Sequence, residues 1–298
     1  VLEVSSRSLR YFAVLAEELH FTHAAQRLHI AQPVLSKAIR RLESDLDVVL
    51  LVRSRQRVAL SDAGRALLPV ARRVLADLEE GLAQVRRVHR RDERVLRVGY
   101  HSSLPPALLQ PLTAAFAGLR PGWRIELRGN DWTDPARVVV DGTVDAAFLR
   151  LPVPGQDSLE IEVLGTESRC VVLPVGHPLA SRRSVRLRDL QDEPFVAMPV
   201  SAGVFRDFWL GLEEFERPPV VSTEVRNPDD FFAAIATGRG VAMIAEPTTA
   251  MYQRPDIVYR LVEDARPGKF AVAWRQGSAD PLLRDFVRAC IEVTAAPR

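Results

Sequence analysis

Apolar residues along the first ninety positions recur mostly at helical spacing. Leu9, Phe12, Ala13 and Ala16 stand at i, i+3, i+4 and i+7 and predict an amphipathic helix over 8–19. Thr22 is placed to cap a second helix, 23–29, that buries Ala24, Ala25 and Leu28. The segment HIAQP then breaks the pattern. Pro33 suits the first turn of a new helix, where its missing N–H is not needed. That third helix buries Leu35, Ile39, Leu42 and Leu46 and turns Pro33, Ser36, Lys37 and Arg40 to the opposite face. In VVLLVRSRQRVALSDAG the period changes to two, with Arg53, Arg55 and Arg57 alternating between Val/Leu runs, which predicts a β-hairpin. Ser61 is a candidate N-cap for a long helix, with Asp62 in its first turn. Along it, Leu67, Ala71, Val74, Leu78, Gly81, Val85 and Val88 form one apolar row, and Leu68, Leu75 and Leu82 a second. Two adjacent rows on a helix about 45 Å long favour a coiled-coil-like partner helix, with Leu67, Leu68, Val74, Leu75, Leu78 and Leu82 at the seam. The charged segment HRRDER, 89–94, follows as a candidate hinge.

From residue 95 short Val/Ile/Leu runs alternate with helical patterns, the rhythm of βαβ units and a mostly parallel sheet. Strands are predicted at 94–100 and 123–127, with a helix over 105–119 between them, and NDWTDPARVVVDGTVDAAFLRL predicts a capped helix, a turn at Gly142 and another strand. Further strands are predicted near 160–165, 170–174, 195–198, 220–225, 240–244 and 271–275. Asn227-Pro228 and Asp280-Pro281 read as cap-plus-first-turn helix starts.

Composition sharpens this picture in places. A chain of 298 residues, 47% hydrophobic, is long enough for about two domains with real cores. No apolar run reaches the roughly 20 residues of a membrane helix. The stretch VLEVSSRSLRYFAVLAEE carries acids in its first apolar run and ends in no cleavage pattern, so no signal peptide and a cytoplasmic location are expected. Cys170 and Cys290 lie far apart and read as buried reduced thiols; with six scattered His, no metal and no cofactor is expected. Net charge is only +2, but residues 1–91 hold 16 Lys and Arg against 10 Asp and Glu, while the remaining 207 hold 24 against 28. A basic N-terminal third suggests an end that faces nucleic acid. Two short helices joined by a tight turn form a helix-turn-helix, whose second helix enters the DNA major groove. Gln32 and Ser36 suit base edges or phosphates, and Lys37 and Arg40 suit guanine or phosphate. Period and charge alone equally fit a plain helix pair with a solvated basic face.

The wider match is more specific. Residues 8–68, through LRYFAVLAEELHFTHAAQRLHIAQPVLSKAIRRLE and LVRSRQRVALSDAGRALL, resemble the DNA-binding segment of LysR-type transcriptional regulators. Ala24-Ala25, Gln32-Pro33, Ser36, Ile39, Leu42-Glu43 and Ala63-Gly64 fall where that family has them. Asp47 stands near a usual Gly and Leu51 near a usual Phe, so changed packing and wing geometry are expected there. Further on, DGTVDAAF, VLPVGHPLA and GRGVAMIAEP resemble phrases of the family's effector domain.

The resemblance implies an α/β fold class with an N-terminal all-α winged helix-turn-helix, and an effector domain of two Rossmann-like subdomains resembling a periplasmic binding protein. The expected divisions are 1–60 for the DNA-binding domain, 61–93 for linker helix and hinge, and 94–298 for the effector domain. Within the last, subdomain one is 94–165 plus 266–298 and subdomain two is 166–265. The implied partners are double-stranded DNA at a pseudo-palindromic operator, a small-molecule effector, and further copies of the chain as homodimer or homotetramer, with no membrane. Expected DNA contacts are Thr22, His23, Gln32, Pro33, Ser36, Lys37, Arg40, Arg53, Arg55 and Arg57.

Ligands in such sheets bind beyond the C-terminal strand ends. That selects His101, Ser102 and Ser103; Asn130, Trp132 and Thr133; Ser201, Ala202 and Phe205; and Thr248 as effector contacts, suited to an organic or aromatic acid. His101 beside two serines invites a hydrolase reading, but there is no G-x-S-x-G elbow, Gly-rich phosphate loop or paired metal ligands, so no catalysis is expected. Two alternatives remain at this point: a solute-binding protein without a DNA role, and an effector-independent repressor of the same fold.

Overall fold

The structure, a computed structural model, describes residues 4–28, 30–53, 58–101, 104–105 and 107–295. They divide into two compact units, residues 1–85 and 86–298.

The first unit opens with helices α1 (Ser6–Glu18), α2 (Phe21–Arg27) and α3 (Gln32–Leu46). Ser5 caps α1 by accepting the Ser8 N–H at 3.1 Å. The cap of α2 is His20, not Thr22: its backbone is extended and its Nδ1 accepts the His23 N–H at 3.4 Å, which starts the helix two residues earlier than expected. Pro33 occupies the first turn of α3. Phe12, Leu15, Ala24, Leu35, Ile39 and Leu42 close the core, and Ala24 and Ala25 are small enough to let the helices approach.

Strands β1 (Leu51–Arg53) and β2 (Val58–Leu60) pair antiparallel as the wing. Four hydrogen bonds fix its base. Glu43 of α3 accepts the N–H groups of Leu50 and Leu51 at 3.0 and 3.1 Å. Ser61 donates to the Val49 carbonyl and accepts the Gly64 N–H at 3.0 Å, the expected cap of helix α4 (Asp62–Asp92). Gly64 admits no side chain, because a Cβ there would stand 2.2 Å from the Leu50 carbonyl oxygen. At the wing entry the backbone takes a glycine-like turn without glycine. Asp47 takes the left-handed conformation (φ +52°) that glycine favours, one of the few residues with a side chain that tolerates it, and the turn closes with the Val48 N–H on the Glu43 carbonyl. Leu51 is 2% exposed in the place of a larger ring.

In the second unit β3 (Val95–Tyr100) is followed by α5 (Leu109–Leu119), β4 (Arg124–Gly129), the short α6 (Arg137–Val140), β5 (Ala146–Leu151), β6 (Leu159–Glu167) and β7 (Arg169–Pro174). Then come β8 (Ser184–Val185), β9 (Phe195–Ala197), α7 (Val204–Leu210), β10 (Val221–Glu224), α8 (Pro228–Ala236), β11 (Ala242–Ala245), β12 (Ile257–Val262), β13 (Gly268–Arg275) and α9 (Pro281–Ala295). Helix α5 starts later than expected: a turn from Pro105 to Leu108 precedes it, and Pro111, lacking an N–H, fits only its first turn. Strands β8 and β12 were not foreseen.

Among the described residues, one sheet has the order β4-β3-β5-β13-β6, with β3 parallel to β4 and β5 and β13 antiparallel to both neighbours. A second has the order β11-β7-β12-β8, beside a parallel β9–β10 pair. The chain crosses between the sheets twice, at β6–β7 and at β12–β13. Phe116, Phe148 and Phe286 centre the core between the first sheet and helices α5 and α9.

Most of the segment 89–94 is helical. Helix α4 continues to Asp92, and Arg90 is buried against Asp145 (Nη2–Oδ1 2.5 Å, Nε–Oδ2 3.2 Å). Arg86 donates to the Asp141 carbonyl at 3.2 Å and Arg91 to Asp280 at 2.6 Å. These contacts lie within the second unit, to which residues 86–92 belong.

Candidate functional site

Helix α3 presents Gln32, Pro33, Lys37 and Arg40 to solvent, and α2 presents Thr22 and His23. Lys37 makes no ion pair among the described residues. Ser36, expected on the outward face, is 8% exposed and accepts from Arg40 Nη2 at 3.2 Å, so it braces Arg40. His23 stacks on His20 with ring centres 4.1 Å apart. Arg53 lies on β1; Arg55 and Arg57 lie outside the described residues.

On α4 the seam candidates divide along the helix and not by row. Leu67, Leu68 and Leu75 pack on the core of the first unit, so they are not seam residues alone. Val74, Leu78 and Leu82 are each more than 40% exposed, and Val85 and Val88 extend their line. An unburied apolar stripe of this length on a single helix costs solvation free energy unless something covers it.

The second unit holds a narrow cleft between its two sheets, with about 70 Å³ of space open to water. His101 and Arg150 reach it from the ends of β3 and β5, and Trp132 from the loop after β4. Across from them stand Met198 after β9, Phe205, Arg206 and Trp209 of α7, Phe231 and Phe232 of α8, and Thr248 and Tyr252 after β11. Rings from the two subdomains meet edge to face, His101 on Phe205 at 5.1 Å and Trp132 on Phe231 at 5.3 Å. Arg150 is 3% exposed and bound in a fork by Glu167, at 2.6 and 3.2 Å. Arg206 donates from Nε to the Met198 carbonyl at 2.9 Å and lies 3.6 and 3.9 Å from Asp207 and Glu224. No carboxylate is among the described residues lining the cleft. His101 is buried, and burial first, then the Arg150 charge, pushes its pKa down to about 3, against a weaker pull from the Phe148 carbonyl. The imidazole is therefore neutral at physiological pH.

Of the expected effector contacts, His101, Trp132, Phe205 and Thr248 meet in this cleft, while Ser102 and Ser103 lie outside the described residues. The other four stand elsewhere. Asn130 packs over Gly99, where a Cβ would be 2.6 Å from its Oδ1, and its Nδ2 donates to the Pro135 carbonyl at 3.2 Å. Thr133 donates its hydroxyl to Asp131 at 2.6 Å and closes a turn. Ser201 is exposed on a short turn, and Ala202 is fully buried in the core beside Phe205. Arg150 and Arg206 were missed. Arg150 left a readable signal, a charge near the end of the otherwise apolar strand AAFLRL.

The comparisons agree in extent. Residues 6–65 match the bacterial regulatory helix-turn-helix protein family, lysR family, and residues 89–295 match the LysR substrate binding domain. The chain is 34% identical over 284 residues to the HTH-type transcriptional regulator ShiR of Corynebacterium glutamicum (strain R), covering 94% of this chain and 96% of that protein. It is 33% identical over 288 residues to the Hca operon transcriptional activator HcaR of Escherichia coli (strain K12), with 94% and 95% covered. Among solved structures it resembles full-length CbnR complexed with its target DNA, at a TM-score of 0.53 and 25% identity over 98% of this chain and all of that one.

Proposed function

The chain belongs to the LysR family of bacterial transcriptional regulators, a DNA-binding regulator with a substrate-binding-type sensor domain, and from that premise we propose how its own residues divide the work. Helix α3 enters a major groove. There Gln32 reads base edges, Lys37 and the Ser36-braced Arg40 meet guanine or phosphate, and the basic wing lies along the backbone. The exposed Val74, Leu78 and Leu82 stripe pairs with α4 of a second copy, so that an oligomer spans a pseudo-palindromic operator. The protein works in the cytoplasm, where the DNA is; no helix among the described residues is long and apolar enough to cross a membrane.

The cleft takes a small aromatic acid and does not turn it over. One observation carries this reading: aromatic and aliphatic walls line the cleft, the charged groups among them are Arg150, held by Glu167, and Arg206, and no carboxylate is among the described lining residues. A flat ring placed among Trp132, Phe205 and Phe231 is met by aromatic surfaces, and a carboxylate replaces lost hydration with contacts to the Arg206 guanidinium. A histidine beside an arginine, with no orienting acid among the described lining residues, is poorly placed as a general base. Binding differs between two arrangements of the subdomains, and that difference shifts how the DNA-binding units are held. Thermal shift of the full chain tests the effector class. Benzoate at millimolar concentration is expected to raise the melting midpoint and benzylamine to leave it unchanged; stabilisation by the amine instead of the acid refutes it.

A further inference from the structure

Two polar groups on the cleft wall are buried without a well-formed hydrogen bond. His101, 3% exposed, has none on either ring nitrogen, the Phe148 carbonyl acting on it only weakly. Trp209, 8% exposed, leaves its indole N–H in the same condition. Phe205 packs against both, its ring centre 5.1 Å from His101 and 6.2 Å from Trp209. Buried polar atoms in folded proteins are almost always satisfied, and exceptions that line a cavity point to what the cavity receives.

We propose that His101 and Trp209 are specificity-determining contacts on either side of Phe205, and that the effector is an aromatic carboxylate that also carries a ring hydroxyl. This rests on the aromatic-acid reading above and narrows it. The indole N–H only donates, so it asks for an oxygen acceptor, which a carboxylate supplies. A neutral imidazole offers one donor and one acceptor, and a hydroxyl, able to be either, matches whichever nitrogen faces it. A second carboxylate is a poorer match. It cannot donate to the acceptor nitrogen, and the Arg150 fork that would neutralise it is already engaged by Glu167. An unsubstituted ring leaves His101 orphaned in the complex, which lowers affinity about tenfold for a missing hydrogen bond.

Calorimetric titration of the full chain with benzoate, the three hydroxybenzoates and isophthalate tests this. At least one hydroxybenzoate is expected to bind about tenfold tighter than benzoate. The ratio is expected to fall below about twofold in His101→Phe and to stay intermediate in His101→Gln, whose amide both donates and accepts. Trp209→Phe is expected to weaken every acid about tenfold while leaving the hydroxyl preference in place. Equal affinity for benzoate and all three hydroxybenzoates, a preference that survives in His101→Phe, or isophthalate binding tightest overturns the inference but leaves the aromatic-acid reading standing. No binding of any acid overturns both.

Discussion

Replacing Asp145 by Ala leaves the Arg90 guanidinium buried without a counter-ion. The pair is nearly inaccessible, with side chains 2% and 9% exposed, and one carboxylate serves two elements. It accepts from Arg90 at 2.5 and 3.2 Å and from the Arg97 N–H of β3 at 2.9 Å. Breaking a buried pair from one side costs about 3–5 kcal/mol, because the stranded charge has no solvent to return to. At roughly 2–4 °C per kcal/mol for a unit of this size, the midpoint is expected to fall on the order of 10 °C. The assay is selective by construction: all four tryptophans, Trp123, Trp132, Trp209 and Trp274, belong to the second unit, so urea unfolding followed by tryptophan fluorescence reports that unit alone. The double variant Arg90→Leu with Asp145→Leu is expected to regain more than half of the loss, since an apolar pair removes the orphaned charge. Asp192→Ala, which breaks the exposed pair with Arg217, serves as a control without measurable effect. A loss below about 1 kcal/mol for Asp145→Ala, or a double variant no better than the single one, refutes the reasoning.

Other expectations follow from the same structure. His101 is depressed to about 3 from an ordinary 6.5, so protons favour the unfolded chain. The stability His101 contributes is complete above pH 6.5 and lost as pH falls from there toward 3, on the order of 5 kcal/mol at most; His101→Gln is expected to flatten the urea midpoint over that window, and an unchanged slope refutes it. Arg40→Ala is expected to weaken operator binding and reduce the salt slope by about 0.9; unchanged affinity at several salt concentrations removes Arg40 from the interface. Gly64→Ala puts a Cβ against the Leu50 carbonyl and is expected to destabilise the first unit by at least about 1–3 kcal/mol, read by circular dichroism because that unit holds no tryptophan; wild-type unfolding in Gly64→Ala refutes it.

The helical elements of the first unit were legible because their cores are local: the stripe from Leu9 to Ala16 and the one from Leu35 to Leu42 each declare a buried face within a few turns. The caps Ser61 and Asn227 were legible for the same reason, since each satisfies an N–H three residues away. His20 was not, because an imidazole is an unusual cap and Thr22 offered a commoner one. The cleft was half legible. Strand-end logic found His101, Trp132, Phe205 and Thr248, yet it cannot tell a side chain facing the cleft from one that closes its own turn, as Thr133 does, or packs into the core, as Ala202 does. Arg150 was hidden for a different reason. Its partner Glu167 stands on β6, separated from β5 in the sheet by β13, a strand more than a hundred residues later in the chain. Periodicity along the chain carries no record of that neighbour. Asp47 illustrates the converse: a residue with a side chain holds the left-handed conformation that glycine favours.

The most direct measurement is fluorescence anisotropy of the full chain on two labelled duplexes, the region upstream of its own gene and a scrambled fragment of equal composition, at about 0.15 M salt. Each duplex is titrated with and without an aromatic acid. The expected result is a preference of at least about a thousandfold for the upstream fragment, altered in strength or stoichiometry by the acid. Equal affinity for both fragments, untouched by any acid that binds the cleft, contradicts a protein whose second unit controls where its first unit rests on DNA.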